Sequence, residues 1–254
     1  MIEQSFHTPL PLTLEVSIPS GDIDVETTDG EETSLTVDGD ERMLEHVEVR
    51  HDGNRVTVTL RDKSKLGFSF SLGSIVFGNG GLRVQARVPH GAGVRVKTAS
   101  ADSNITGHLG MLDVNGVSGD VRVRGEIDED ATVRTVSGDV DLERVDGDVS
   151  VQTVSGDLHV RAVAGSVDTK SVSGDIRLEA LTAGDARFSS VSGDIEIGIA
   201  SGSLLDVDAG STSGDLASEV PLATEPPSGE EAAAPTVILR GRTVSGDVRV
   251  FRAG

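Results

Sequence analysis

From residue 137 to 172 the chain reads in nines: SGDVDLERV, DGDVSVQTV, SGDLHVRAV and AGSVDTKSV. Counted from the glycine of the first three, apolar residues fall at +2, +4 and +7. They are Val140, Leu142, Val145; Val149, Val151, Val154; and Leu158, Val160, Val163. The +2/+4 alternation is the period of a strand, whose successive side chains face opposite ways. No long 3.6-residue pattern competes with it, so helix is expected to be nearly absent. Reading all three positions as inward places the +7 valines in the core with the rest.

The nines pair into a longer unit. Ser-Gly-Asp occurs eight times, at Ser20, Ser118, Ser137, Ser155, Ser173, Ser192, Ser213 and Ser245, and six copies follow a Val. A degenerate copy, Ser100-Ala101-Asp102, precedes the main array, and successive spacings from Ser100 are 18, 19, 18, 18, 19, 21 and 32. Short, regular strands at this period predict an all-β fold, a parallel β-solenoid (β-helix) with 18–19-residue coils. Coils stacked ~4.8 Å apart would give the eight starts from Ser100 a rod of roughly 38 Å. One coil cannot bury its own apolar face; stacked coils share a Val/Leu/Ile core.

The outward positions agree with in-register stacking. The +3 row runs Arg122, Asp141, His159, Arg177, Glu196, and the +5 row alternates in sign through Arg124, Glu143, Arg161, Glu179. Stacked neighbours of opposite charge support each other by ~0.2–1 kcal/mol a pair. A hydroxyl row precedes the Ser-Gly-Asp motif: Thr135, Thr153, Ser171, Ser190, Ser211, Thr243. Two regions are expected. Residues 1–98 form an N-terminal β-strand-rich region that leads into and caps the solenoid. Residues 99–254 form the repeat solenoid, with a mobile loop at 220–235 that holds four of the eight prolines.

Composition narrows the function. Aromatics are 2% of the 254 residues, with no Trp, Tyr or Cys, and the formal net charge is −20 at a pI near 4.5. An acidic chain without stacking aromatics is a poor partner for a phosphate backbone, so no nucleic acid is expected. No run approaches the ~20 apolar residues of a membrane span. The start lacks a basic, then apolar, leader, which points to a cytoplasmic protein.

At this point residues 18–23 (IPSGDI), 54–60, 82–98 and the Ser-Gly-Asp series through Asp247 suggest a family. The chain resembles the bacterial "putative adhesin" domain-of-unknown-function family over nearly its whole length. That resemblance implies a β-solenoid interaction module and offers envelope association as an alternative location.

Enzyme signatures are missing: HExxH, GxSxG, a Walker loop and GxGxxG do not occur, and the six His are scattered. Carboxylates abound, yet short uniform coils leave little room for the long loops and sugar platforms of a polysaccharide-active β-helix enzyme. Calcium is the sharper option, since a nine-residue Gly/Asp repeat is similar to calcium-binding nonapeptide repeats. The match is partial, with one Gly per nine. Asp120, Asp139, Asp157, Asp175, Asp194, Asp215 and Asp247 form the candidate row, and no metal is favoured. A local bond at each glycine bend, from backbone N–H to Asp, is expected to hold these like charges together. No cofactor is expected beyond this calcium option.

Candidate partner-binding residues are Lys63, Lys65, Phe68, Phe70 and Phe77, in the 63–81 segment, and Phe251. The segment is read first as a hairpin covering the core, and secondly as a peripheral membrane or partner contact. The last residues, with Phe251, are read as a solenoid end that caps or docks. The expectation is a non-enzymatic scaffold or adhesin-like module that binds a protein partner or itself. The alternative is a self-assembling, bactofilin-like structural protein.

Overall fold

The computed structural model describes residues 1–60, 81–220 and 235–253, and these are almost entirely β-strand. One helical turn, α1 (Glu41–Leu44), is capped by Asp40, whose side chain accepts the Arg42 N–H at 2.9 Å. Each coil contributes two strands. The first sheet stacks β8 (Val121–Ile127), β10 (Val140–Val145), β12 (Leu158–Val163), β14 (Ile176–Leu181) and β16 (Ile195–Ile199). The second stacks β9 (Ala131–Arg134), β11 (Val149–Gln152), β13 (Val167–Lys170) and β15 (Gly184–Ser189). All these pairings are parallel, with Val140 beside Leu158, Leu158 beside Ile176, and Ile176 beside Ile195; the register shifts only after Leu142 against β8 and after Leu178 against β16. A short bridge from Ser to Ser links the corners of successive coils.

The parallel ladder crosses residue 98 without a break. β7 (Ala92–Asn115) pairs with β8 and β9, and β2 (Thr13–Thr28) pairs with β7 from Thr13 to Glu26. β5 (Arg55–Leu60) and β6 (Leu82–Pro89) lie parallel on the far side of β2. The direction then reverses. β3 (Glu32–Asp38) is antiparallel to β6, β1 (Ile2–His7) to β3, and β4 (Val47–Asp52) to β5.

At the other end the chain order is broken. β17 (Leu204–Ser213) and β18 (Leu216–Ser218) form the outermost coil. The final strands, β19 (Thr236–Ser245) and β20 (Val248–Arg252), insert beneath them, pairing with β15 and β16 on one side and β17 and β18 on the other. The last residues are therefore not the solenoid end, contrary to the sequence reading. A chain-ordered stack would have put them there. Instead the C-terminus completes the penultimate coil, and Leu204–Ser213 caps it.

The core is the expected aliphatic stack, with one difference at the corners. The last residue of each first-sheet strand, +7 in the regular coils, is buried: Ile127, Val145, Val163, Leu181 and Ile199 are each at most 1% exposed. Position +7 of the second nine is not: Val154 is 46% exposed. Here the strand has ended at Gln152, and the backbone bends so that Thr153 faces inward and Val154 outward. At four corners the hydroxyl bonds across the bend, while Ser171 occupies the same place without a partner. Thr153 Oγ1 donates to the Ser155 carbonyl at 3.3 Å, and Thr135, Ser190 and Thr243 donate to Ser137, Ser192 and Ser245 in the same way. A valine there would leave the carbonyl without its donor. The next residue must be glycine. Gly156 has φ of 129°, and a Cβ on it would lie 2.2 Å from the Gly138 carbonyl oxygen of the coil below.

Candidate interaction surface

The corner carries four parallel rows. First come the last residues of β9, β11, β13 and β15, namely Arg134, Gln152, Lys170 and Ser189, with Arg242 of β19 beside Ser189, all exposed and mutually in register. Then come Val117, Val136, Val154, Val172, Val191 and Val244, between 44% and 51% exposed. Their backbones stack directly, since Ser137, Ser155, Ser173, Ser192 and Ser245 N–H each donate to the valine carbonyl one coil down at 2.9 Å. The Ser row follows, then the Asp row.

The aspartates are linked coil to coil. Asp120 N–H donates to Asp102 Oδ1 at 2.9 Å, Asp139 to Asp120 at 3.0 Å, Asp157 to Asp139 at 2.9 Å, and Asp175 to Asp157 at 2.8 Å. Asp194, Asp247 and Asp215 continue the series in spatial order, at 2.8–2.9 Å. Each carboxylate thus accepts the backbone N–H of the neighbouring coil's Asp rather than one at its own bend. A shorter copy runs on the second-sheet side, from Asp148 N–H to Asp130 Oδ1 and from Ser166 N–H to Asp148 Oδ1. Among the described residues no group of three or more His, Asp or Glu is placed to hold a metal ion.

Charge around the corner is unevenly used. On the first sheet, Arg161 meets Glu143 at 2.8 Å, Arg177 pairs with Glu196, and Arg144 bonds Asp146 and Glu126, which hold its pKa above the ordinary value. The predicted partner of Glu143 on its other side, Arg124, is displaced. The ladder shifts register between Leu142 and Arg144, and Gly125 N–H bonds Glu143 at 2.8 Å instead. By contrast, among the described residues, Arg134, Lys170 and Arg242 beside the valines make no ion pair. Neither do Asp139, Asp157, Asp175, Asp194 or Asp247.

Nothing resembling a catalytic cleft accompanies the corner. One shallow, polar depression among the described residues, about 250 Å³, has Asp24, Glu26, Thr36 and Arg87 in its lining. Two of the scattered histidines do meet, His90 and His108, with ring centres 6.2 Å apart. Thr27 Oγ1 bonds His90 Nδ1 at 2.7 Å and accepts the His108 N–H at 2.7 Å. That hydroxyl belongs to a residue only 6% exposed and ties β2 to β7. Lys63, Lys65, Phe68, Phe70 and Phe77 lie outside the described residues. Phe251 is half-buried on β20 beside Gly198, whose missing side chain makes room for its ring. The sequence reading passed over the corner valines as contact residues. The signal was present: a hydroxyl at +6 in the second nine, where the first nine has Arg144, Ala162 or Ala180.

These features define a parallel β-solenoid with two sheets per coil, closed at its N-terminal side by antiparallel strands. The chain belongs to the Toastrack DUF4097 family, whose model matches residues 13–251. Among solved structures it is similar to a "putative adhesin" from Bacteroides fragilis, with 16% identity and a TM-score of 0.54 over 98% of this chain and 96% of that one. A "putative adhesin" and a "putative lipid binding protein", both from Parabacteroides distasonis, match over 98% of this chain and 96% of theirs. Their identities are 13% and 12%, with TM-scores of 0.46 and 0.48. At such identities the likeness is one of fold. No curated protein matches. No helix among the described residues is long and apolar enough to cross a membrane.

Proposed function

We propose that the protein is a non-enzymatic, adhesin-like interaction module that works through its corner ridge, in association with the cell envelope. The observation that carries this reading is the exposed valine row. Soluble proteins seldom leave a contiguous apolar row facing water without a partner for it. The family and the fold of its structural relatives support a binding role, and the shallow relief of the surface supports contact over a flank rather than chemistry in a cleft. Calcium is not needed to hold the Asp row together, since the Oδ1 of every member but the outermost, Asp215, accepts a backbone N–H. The test is retention of envelope material (peptidoglycan, surface polysaccharide and lipid vesicles, each separately) on immobilised protein. Retention by wild type that is lost with Val154→Lys/Val172→Lys supports the reading. Equal retention by both proteins, or release of new reducing ends from a polysaccharide, contradicts it.

A further inference from the structure

We infer that the ridge binds a second copy of this chain, the two rods lying side by side and parallel about a twofold axis along the stack. This rests on the reading of the ridge as a contact surface and names its occupant. Three observations point there. The first is period. Six valines recur once per coil over about 24 Å at ~4.8 Å per step, and a second copy repeats that spacing, so its valines can pack against these coil for coil along the whole row.

The second is charge. Among the described residues the ridge has cations without an ion pair on one side, Arg134, Lys170 and Arg242, and on the other Asp139, Asp157, Asp175, Asp194 and Asp247, also without one. Rotating a copy about an axis along the stack lays its cations over these aspartates and its aspartates over these cations. Rotating it about the perpendicular axis, to give antiparallel rods, lays Asp over Asp, which like-charge repulsion disfavours.

The third is extent. The Asp row lies five positions along the chain from the cationic row, at most roughly 16 Å, so the strip falls below the ~800 Å² per partner of a standard interface. The dimer is therefore weak and concentration-dependent.

The experiment uses the full chain, which has no cysteine of its own. Sedimentation equilibrium from about 1 to 300 μM spans the weak range expected of so small an interface. It should show a monomer–dimer equilibrium that Val154→Lys/Val172→Lys weakens at least tenfold, with the circular dichroism melt preserved. Single cysteines then fix the geometry. With parallel rods each residue faces its own counterpart, so Val117→Cys alone and Val244→Cys alone should each oxidise to a disulfide dimer. Cross-linking only when the two variants are mixed would mean antiparallel rods and overturn the inference. So would a monomer across the whole range. If wild type stays monomeric while the lysine pair still abolishes envelope retention, the ridge keeps its binding role and only the self-pairing falls. If a dimer forms and survives the lysine pair, the ridge is not the contact and both readings fall.

Discussion

Thr153 and Val154 reverse the usual sorting of a polar and an apolar residue, and the reversal has a local cause. The Thr153 hydroxyl bonds the Ser155 carbonyl across the bend at 3.3 Å, a contact that a valine cannot make. The same substitution should then have opposite consequences at two valines that look alike in the repeat. Val140→Asp puts a carboxylate into a site 2% exposed and should cost about 3–5 kcal/mol in chemical denaturation. Val154→Asp, at the surface, should stay within about 0.5 kcal/mol of wild type. Equal losses would contradict the assignment of faces. Glycine offers a second residue-scale contrast. Gly156→Ala combines a φ of 129° with a Cβ 2.2 Å from a backbone oxygen, whereas Gly202→Ala, at φ of 88°, meets nothing within 4 Å. The first should lose well over the ~1–3 kcal/mol of an unfavourable φ alone, the second no more than that. The inward alternation was legible in the +2/+4 pattern. The corner was not, because both nines carry Val at +7 and only the preceding hydroxyl tells them apart.

Between elements, the Asp ladder converts a row of like charges into a chain of charge-assisted hydrogen bonds. Neighbouring carboxylates about 5 Å apart repel by roughly 0.9 kcal/mol in a water-like dielectric, and each bond to a carboxylate returns about 1.5–3 kcal/mol. Asp157→Asn keeps an acceptor for the Asp175 N–H while removing a charge, so it should melt at or above the wild-type temperature. Asp157→Ala removes the acceptor and should lose about 1–2 kcal/mol. Melts in EDTA and in millimolar CaCl₂ at matched ionic strength should nearly coincide; a calcium-specific rise of about 10 °C would contradict a ladder held by backbone donors alone. The row itself was legible in the sequence as Asp after each Gly. Its bonding was not, since sequence cannot distinguish an acceptor at its own bend from one serving the coil above. The cation–anion alternation at +5 was legible only in part: Arg161 meets Glu143, but the register shift above Leu142 gives Glu143 to Gly125 rather than to Arg124.

For the molecule as a whole, the C-terminal strands hold the end of the rod together. Asp247 N–H bonds across to Asp194, 53 residues back, and among the described residues the 204–218 coil pairs with no strand but β19 and β20. The repeat spacing of 32 before Ser245 announced an interruption, but not that the chain would double back beneath its own last coil. Removing residues 236–253 should therefore strip hydrogen-exchange protection from 204–218 and leave 140–181 protected; retained protection at 204–218 would contradict the insertion. The largest claim is that the rod carries an outward valine ridge along one corner, and a cysteine-free chain allows a direct measurement. Single cysteines at 151, 152, 153 and 154 are labelled with a thiol reagent in the native state, at a concentration low enough to keep chains apart. Cysteines at 151 and 153 should be protected, and those at 152 and 154 should react at near the rate of an unfolded peptide. Protection at 154 equal to that at 151 would place the valine row in the core and contradict the ridge.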